Sequence, residues 1–174
     1  VLVPQKKGDP VIVTEDETYK QVDFEKMKFL RPAFSENGTV TAANASSIND
    51  GASAIVVASK LFIENENINP IAKIIAYAEA EQDPTFFTTT PILATKKVLE
   101  KANLTLSDID FFEVNEAFAV VPLAFMNELK IEVSKVNVFG GAVSLGHPLG
   151  SSGSRIVVTL LNVLKNKKAK YGLA

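Results

Sequence analysis

Short apolar runs alternate with longer amphipathic segments along most of the chain, beginning near residue 53. The runs lack polar alternation, which is typical of strands that are buried on both faces of a sheet. They predict strands at 53–59, 70–80, 108–114 and 135–139, and residues 170–174 have the pattern of a further strand that is beginning. The longer segments predict helices at 90–102, 115–129 and 151–166, with a short helix candidate at 61–67. This repeated order predicts an α/β fold with a largely parallel sheet covered on both faces.

Local signals support the three longer helices. Thr90 and Pro91 suit the N-cap and the first helical position of the helix at 90–102. The segment 115–129 is apolar nearly all round, so we expect it to be buried, with a kink at Pro122. Ser151 begins the last helix, whose apolar residues fall on one face.

Composition excludes several classes of protein. The chain has 174 residues and a formal charge of −2, so it lacks the basic excess of a nucleic-acid-binding protein. No apolar run reaches the ~18–20 residues of a membrane span. It contains no cysteine and a single histidine, His147. These residues therefore include no disulfide, no cysteine nucleophile and no cluster of histidine or thiolate metal ligands, and we expect no metal centre.

Two polar segments directly follow predicted strands. "VNEAF" (114–118) comes at the end of the strand at 108–114, and "GGAVSLGHPLG" (140–150) follows the strand at 135–139. In parallel α/β sheets, ligands bind beyond the carboxyl ends of the strands. We therefore expect the chemistry of this protein at these two places.

The segment around His147 holds five glycines between positions 140 and 153. It lacks the lysine of a phosphate loop, the spacing of a dinucleotide-binding loop and the G-x-S-x-G of a nucleophile elbow. A structural histidine with its hydrogen bonds satisfied is the competing interpretation. The position of His147 between a strand end and a helix start favours a functional one.

The other polar segments have simple local interpretations. Asn115 suits a helix N-cap, Glu116 suits the positive end of the helix dipole, and Phe118 suits the core. The segment "TVTAANASSINDG" (39–51) is either a solvated loop or a source of hydroxyl donors at Ser46 and Ser47.

Three segments, taken in their order along the chain, resemble the C-terminal half of thiolases. They are "ENGTVTAANAS" with "INDGASA", then "VNEAFAVV", then "VNVFGGAVSLGHPLGSSGSR". The resemblance is densest over residues 36–174 and is nearest to the acetoacetyl-CoA thiolase branch. Some thiolases of fatty-acid degradation carry His at the position of Asn115, which argues against those enzymes. The resemblance implies a three-layer α/β/α fold with a mixed, mostly parallel sheet. Residues 1–35 would be a connecting segment from the N-terminal half, and residues 36–174 the C-terminal domain without its final strands.

The resemblance also implies a reaction and two catalytic residues. Thiolases condense two acetyl-CoA molecules to acetoacetyl-CoA or run the reverse thiolysis, through an acyl group carried on a nucleophilic Cys. The residue matching His147 hydrogen-bonds the thioester oxygen and helps to activate that Cys. The residue matching Asn115 positions a water molecule that completes this oxyanion hole.

Further positions match the family's coenzyme A site. Ser46 corresponds to a residue that contacts the pantetheine arm, and Ala117 and Phe118 to residues that line the substrate tunnel. Lys26 lies in the region that approaches the nucleotide end of CoA. Gln21 stands where the family has a basic residue, so this chain lacks that positive charge at the nucleotide end.

The resemblance implies substrates and partners but no prosthetic group. The substrate would be a CoA thioester, acetyl-CoA or acetoacetyl-CoA, and the protein would form a homodimer or homotetramer. Cytoplasmic and mitochondrial locations both fit. The alkali ion of some thiolases would lie near the positions Ala42, Ala43, Ala45 and Val143.

The family's two catalytic cysteines match no residue of this chain. The nucleophile belongs to the N-terminal half, which we expect to be absent, and the acid/base Cys follows the position of "YGLA" (171–174). We therefore expect residues 1–174 alone to be inactive. We also expect them to be poorly stable as a monomer, because the strand begun by "YGLA" would belong beside 53–59, which would be left with an unpaired apolar edge.

Three alternatives stay open. One is a 3-ketoacyl-CoA thiolase of fatty-acid degradation. Another is a non-enzymatic CoA-binding or assembly segment that works only beside a partner chain. The third is a hydrolase that pairs His147 with Ser144 or Ser151, although the chain lacks a nucleophile elbow.

Overall fold

The computed structural model describes residues 1–174, which form short strands and six α-helices. The strands are β1 Leu2–Val3, β2 Val11–Ile12, β3 Phe111–Phe112 and β4 Gly172–Leu173. The α-helices are α1 Phe24–Met27, α2 Lys60–Asn65, α3 Thr90–Ala102, α4 Val120–Leu129, α5 Ala142–Leu145 and α6 Ser152–Lys167. Segments of 3₁₀-helix lie at Thr18–Gln21, Pro84–Thr89, Leu106–Asp108 and Val133–Lys135. No helix combines the length and apolar character that a membrane crossing requires.

A small parallel sheet lies at the centre of the C-terminal part. β3 pairs in parallel with β4, and Phe112 forms one parallel bridge with Val136 on its other side. The strands predicted at 108–114 and 135–139 are therefore present only over a few residues. The strand predicted to begin within 170–174 is confirmed.

Helices cover both faces of this sheet. Phe112 is 1% exposed and packs edge-on against Phe125 of α4, with ring centres 5.8 Å apart. The cluster on this face joins α3 and α4 to β3 through Ile92, Leu99, Ile109, Phe112, Val114, Val121, Phe125, Leu129 and Val136. α6 packs on the other face so closely that a Cβ at Gly172 would lie 2.7 Å from Leu160 Cδ1. Residues 90–174 thus have the three layers that the strand–helix order predicts.

The helix predictions are largely confirmed. α3 spans the predicted residues, with Thr89 rather than Thr90 at the N-cap, and α6 begins after Ser151. The helix expected at 115–129 starts only at Val120. The kink expected at Pro122 is wrong, because this residue lies in the first turn, where a missing N–H breaks no intrahelical bond.

The strands predicted at 53–59 and 70–80 are absent. Both segments are irregular and exposed, with Val56 at 95% and Ile71 at 86% of full exposure. An apolar run forms a strand only when a neighbouring strand takes up its backbone N–H and C=O groups, and no strand pairs with either segment here. In 70–80 the carbonyls of Tyr77 and Glu79 accept only from the side chains of Lys101 and Lys97. β4 pairs with β3 and not with 53–59, so the pairing expected between them is also wrong.

The first 35 residues are mostly irregular, as predicted, with two small ordered units. β1 and β2 form an antiparallel hairpin that includes the β-like run at 11–13. Asp23 caps the short helix α1 by accepting hydrogen bonds from the backbone N–H groups of Glu25 and Lys26.

One carboxylic acid is buried directly after the central strand. Glu113 is 3% exposed, and its Oε1 atom has no hydrogen-bond partner. Burial raises the pKa of Glu113 to about 7, the nearby Glu116 adds to this, and the charge of Arg155 opposes it. The charged form of Glu113 is therefore unfavourable in the folded protein.

Phe112→Ala tests the importance of the central cluster. Because Phe112 is fully enclosed, its truncation should destabilise the fold by about 3–5 kcal/mol. The measurement is thermal melting of the full-length protein that contains these residues. Phe24→Ala is the control, because Phe24 is 74% exposed and its loss should change stability by less than about 0.5 kcal/mol.

Glu113→Gln tests the cost of burying this carboxyl. Between pH 4.5 and about 7 the unfolded state ionises Glu113 while the folded state keeps it protonated, so stability falls as pH rises through this window. The uncharged glutamine removes this contribution. The variant should therefore gain melting temperature relative to the wild type as pH rises from 4.5 to 7, measured by calorimetry. A constant difference across that range would contradict the assignment.

Candidate active site

The loop 44–48 lies between the two strand-end segments and bonds to both. The backbone N–H and the Oγ of Ser46 each donate to the carbonyl of Ala117, both at 3.1 Å. The N–H of Ala119 donates to the carbonyl of Asn44 at 2.8 Å, and the N–H of His147 donates to the carbonyl of Ser47 at 2.8 Å. Segments far apart in sequence are thereby held side by side. The solvated-loop interpretation of 39–51 does not describe residues 44–47, which are half-buried.

His147 is half-buried, and its ring is oriented by a serine. Its Nδ1 atom lies 2.6 Å from the Oγ of Ser152, and that hydroxyl donates to the carbonyl of Pro148 at 3.2 Å. Which of the two atoms donates in the 2.6 Å bond depends on the tautomer of the imidazole. In either tautomer the bond fixes the orientation of the ring.

The residue before His147 is fixed as well. Gly146 has φ +91°, a conformation that favours glycine, and a Cβ there would lie 2.3 Å from Asn49 Oδ1. The guanidinium of Arg155 donates to the carbonyl of Gly146 at 2.6 Å. The backbone that leads into His147 is therefore held in one conformation.

Asn115 is not a helix cap, because α4 begins five residues later. Its Oδ1 atom is buried and has no hydrogen-bond partner within the protein. Buried polar atoms of this kind are rare, since leaving one unpaired costs about 1–3 kcal/mol. Asn115 thus presents a buried acceptor without a partner, two residues before Ala117, whose carbonyl accepts from the loop 44–48.

Glu116 also lies outside the helix, so the predicted role at the helix dipole is wrong. Its Oε2 accepts from the N–H of Val143 at 3.0 Å, and its Oε1 accepts from Asn137 Nδ2 at 2.7 Å. Val143 belongs to the segment that leads to His147. The glutamate therefore connects the two strand-end motifs.

Phe118 packs with aromatic residues from two other parts of the chain. Its ring centre lies 5.4 Å from that of Phe34 and 6.2 Å from that of Phe87, both in edge-on arrangements. Phe118 is half-buried, as is the neighbouring Ala117. The core interpretation of Phe118 and a role in lining a substrate tunnel are both compatible with this packing.

Lys26 lies on the exposed helix α1, and its Nζ pairs with Asp23 at 3.2 Å. Gln21 ends the 3₁₀ segment Thr18–Gln21, which contacts α5 immediately before the His147 turn. The region predicted to approach the nucleotide end of a ligand is thus adjacent to the candidate site through the segment Thr18–Gln21, while Lys26 faces solvent.

Sequence reasoning missed four polar residues of this site. Ser152, Arg155 and Asn137 show no distinctive spacing, and each bonds to a partner from another segment or turn. Glu113 shows none either, and its buried Oε1 has no hydrogen-bond partner. The one signal for them in the sequence is a charged or amide residue within an apolar stretch, which predicts that the side chain is buried. No group of three His, Asp or Glu side chains is arranged to hold a metal ion.

Two family models match the chain. The model described as "Thiolase, C-terminal domain" matches residues 68–174, and the one described as "Thiolase, N-terminal domain" matches residues 1–61. Part of the N-terminal domain is therefore in this chain, contrary to our expectation. The predicted division at residue 35 differs from the boundary between the two matches and stays a prediction.

Known proteins are similar over nearly the whole chain. An acetyl-CoA acetyltransferase of Schizosaccharomyces pombe is 50% identical over 100% of this chain and 44% of its own length. The crystal structure of the Acat5 thiolase of Ascaris suum in complex with coenzyme A overlaps with a TM-score of 0.85, at 52% identity, over 87% of this chain and 40% of that one. Human mitochondrial 3-ketoacyl-CoA thiolase overlaps with a TM-score of 0.91, at 42% identity, over 99% of this chain and 44% of that one.

These overlaps confirm the predicted thiolase-like α/β fold. The chain spans about two-fifths of the length of the relatives that it matches. Because the C-terminal-domain model matches more than half of the residues and the identities are high throughout, the chain belongs to the thiolase family.

Proposed function

We propose that the protein containing this chain is a CoA-dependent acyltransferase that condenses two acetyl-CoA molecules to acetoacetyl-CoA, or runs the reverse thiolysis. Its relatives include proteins named acetyl-CoA acetyltransferase. The observation that carries the proposal is the loop 44–48, which hydrogen-bonds both the segment after Asn115 and His147 itself. It supports a single site built from the two motifs.

The proposed chemistry needs donors at a thioester oxygen. Removing a proton beside the thioester carbonyl, or adding a nucleophile to it, develops negative charge on that oxygen. Each preorganised donor at such an oxygen lowers the activation free energy by ~3–4 kcal/mol. In the proposal, one donor is His147 and the other is a water molecule whose second O–H is bonded to the free Oδ1 of Asn115.

The hydrogen bond to Ser152 supports two successive roles for His147. In the proposal, Nδ1 carries the proton of the bond to Ser152, so that Nε2 of the neutral ring is available to take a proton from the catalytic thiol. The resulting imidazolium then has an Nε2–H to donate to the thioester oxygen. The family's catalytic cysteines would supply the nucleophile and the second acid/base, since this chain contains none.

The CoA site is proposed from matched positions. Ser46 would contact the pantetheine arm, Ala117 and Phe118 would line the acyl tunnel, and Lys26 would lie towards the nucleotide end. The solved relatives in complex with CoA support a CoA-type ligand. Ser46 donates its hydroxyl to Ala117, so a pantetheine contact would use the remaining lone pairs of Oγ.

An alkali ion and self-association are parts of the same proposal. Backbone carbonyls of Ala42, Ala43, Ala45 and Val143 would supply oxygen ligands, which suit a hard cation. Ala45 is already anchored by pairing with Phe118, and Val143 by Glu116. The homo-oligomer would be a dimer or a tetramer.

A 3-ketoacyl-CoA thiolase is the second candidate, favoured by the overlap with the human mitochondrial enzyme of that name. The two functions differ in the acyl chain length that they accept. Comparing kcat/KM for acetoacetyl-CoA and a long-chain 3-ketoacyl-CoA separates them. Asn115 in place of His favours the short-chain function.

The hydrolase alternative loses support from the geometry. His147 bonds to Ser152 and not to Ser144 or Ser151, and Ser152 is 4% exposed. A buried hydroxyl that already donates to Pro148 offers no nucleophile to a substrate.

The CoA-binding or assembly alternative predicts CoA affinity without turnover in the full-length protein.

His147→Ala tests the oxyanion-hole role. In the full-length protein, the substitution should lower kcat by roughly 10²–10³ or more, because the transition state loses a preorganised donor. The measurement is steady-state thiolysis of acetoacetyl-CoA. A near-wild-type rate in a folded variant would mean that His147 is structural.

Residues 1–174 expressed alone should show no acyl transfer. The reaction needs a thiolate, and these residues include no cysteine. Acetyl-CoA condensation is assayed together with light scattering, because the exposed apolar segments 53–59 and 70–80 should drive self-association. Measurable turnover would contradict the chemical argument, and a monomer with a sharp melt would contradict the expectation of self-association.

A further inference from the structure

The carboxylate of Glu116 meets two hydrogen-bond donors from different segments. One is the backbone N–H of Val143, four residues before His147, and the other is the side-chain amide of Asn137. Glu116 is itself adjacent to Asn115 in sequence. A single side chain therefore links the residues next to both candidate catalytic groups.

Both partners of Glu116 are fixed as donors. The amide of Asn137 cannot be rotated end for end without loss, because its Oδ1 accepts from the N–H of Val114 at 2.7 Å and its Nδ2 donates to the carbonyl of Val114 at 2.9 Å. The backbone N–H of Val143 has no acceptor form. The two donors meet different oxygens of Glu116, and a glutamine would present an NH₂ group in place of one of these oxygens.

The chain also leaves space for this carboxylate. A Cβ at Gly141 would lie 2.2 Å from Glu116 Cδ, and both carboxylate oxygens would be within 2.4 Å of it. The backbone of Gly141 has φ −129°, which any residue adopts. Gly141 is therefore required for the room that Glu116 occupies, and not for its own conformation.

We propose that Glu116 is a positioning residue that sets the His147 turn against the Asn115 segment by fixing Val143 and Asn137. The inference rests on the proposed function, because it concerns the relative placement of the two oxyanion-hole groups. An oxyanion hole works only when its donors are held at the right distance from the developing charge. Misplacement by about 1 Å costs up to about a hundredfold in rate.

The test is Glu116→Gln in the full-length protein, with Glu128→Gln as the matched control. Glu128 lies on the exposed side of α4 and makes no contact with the site, so its substitution should leave kinetics unchanged. In Glu116→Gln, the side-chain NH₂ of the glutamine faces either the N–H of Val143 or the Nδ2 of Asn137, and neither can accept a hydrogen bond from it. We expect kcat to fall about tenfold to a hundredfold, with KM for acetoacetyl-CoA changed less than about threefold and the melting temperature little affected.

A double-mutant cycle separates positioning from general destabilisation. If Glu116 acts through His147, Glu116→Gln should lower kcat much less in a His147→Ala background than in the wild type. Gly141→Ala, which displaces the unaltered carboxylate, should reproduce the loss of kcat. Agreement of these two results supports the proposal.

Three outcomes would overturn it. They are wild-type kcat in a folded Glu116→Gln variant, a loss equal in the two backgrounds, and a loss that follows the unfolded fraction in both Glu116→Gln and Gly141→Ala. Failure of the proposed function is a separate result, since the wild-type protein would then show no acyl transfer to perturb.

Discussion

The parallel pairing of β3 with its two neighbours is the interaction on which the rest of the site depends. β3 bonds to β4 on one side and meets Val136 on the other, and its burial is completed by Phe112 against α3 and α4. Because parallel strands end at the same edge of a sheet, Asn115 and the turn that leads to His147 emerge together. Few backbone hydrogen bonds are involved, so the helices on both faces supply most of the stabilisation of this pairing.

Hydrogen bonds between polar groups then refine what the sheet brings together. The loop 44–48 joins the two motifs through backbone atoms, and Glu116 joins them through a side chain. Backbone bonds of this kind tolerate sequence change, whereas the carboxylate depends on one residue and on the space beside Gly141. Buried charge close to the site has a cost, which Glu113 shows through its raised pKa. Arg155 offsets part of that cost and also holds Gly146.

The exposed apolar segments are the places where the structure differs from what the sequence pattern predicts. Residues 53–59 and 70–80 have the composition of buried strands, and Val56 and Ile71 nevertheless face solvent. An apolar composition indicates that a segment is suited to burial, but the segment is buried only when another surface packs against it. β3 meets its partners within residues 1–174, and these two segments do not.

Elements that depend on local spacing could be predicted from the sequence alone. The bounds of α3 and α6 follow from helical periodicity and from Ser, Thr and Pro at the helix start, and the two strand-end motifs were identified from their order and their glycines. Three features could be found only in the folded chain: α4 starts at Val120, Glu116 accepts from Val143, and Ser152 orients His147. The physical reason is that a hydrogen-bond partner is chosen by proximity in space. Segments far apart along the chain, such as Ser46 and Ala117, become neighbours only when the sheet and its helices have packed.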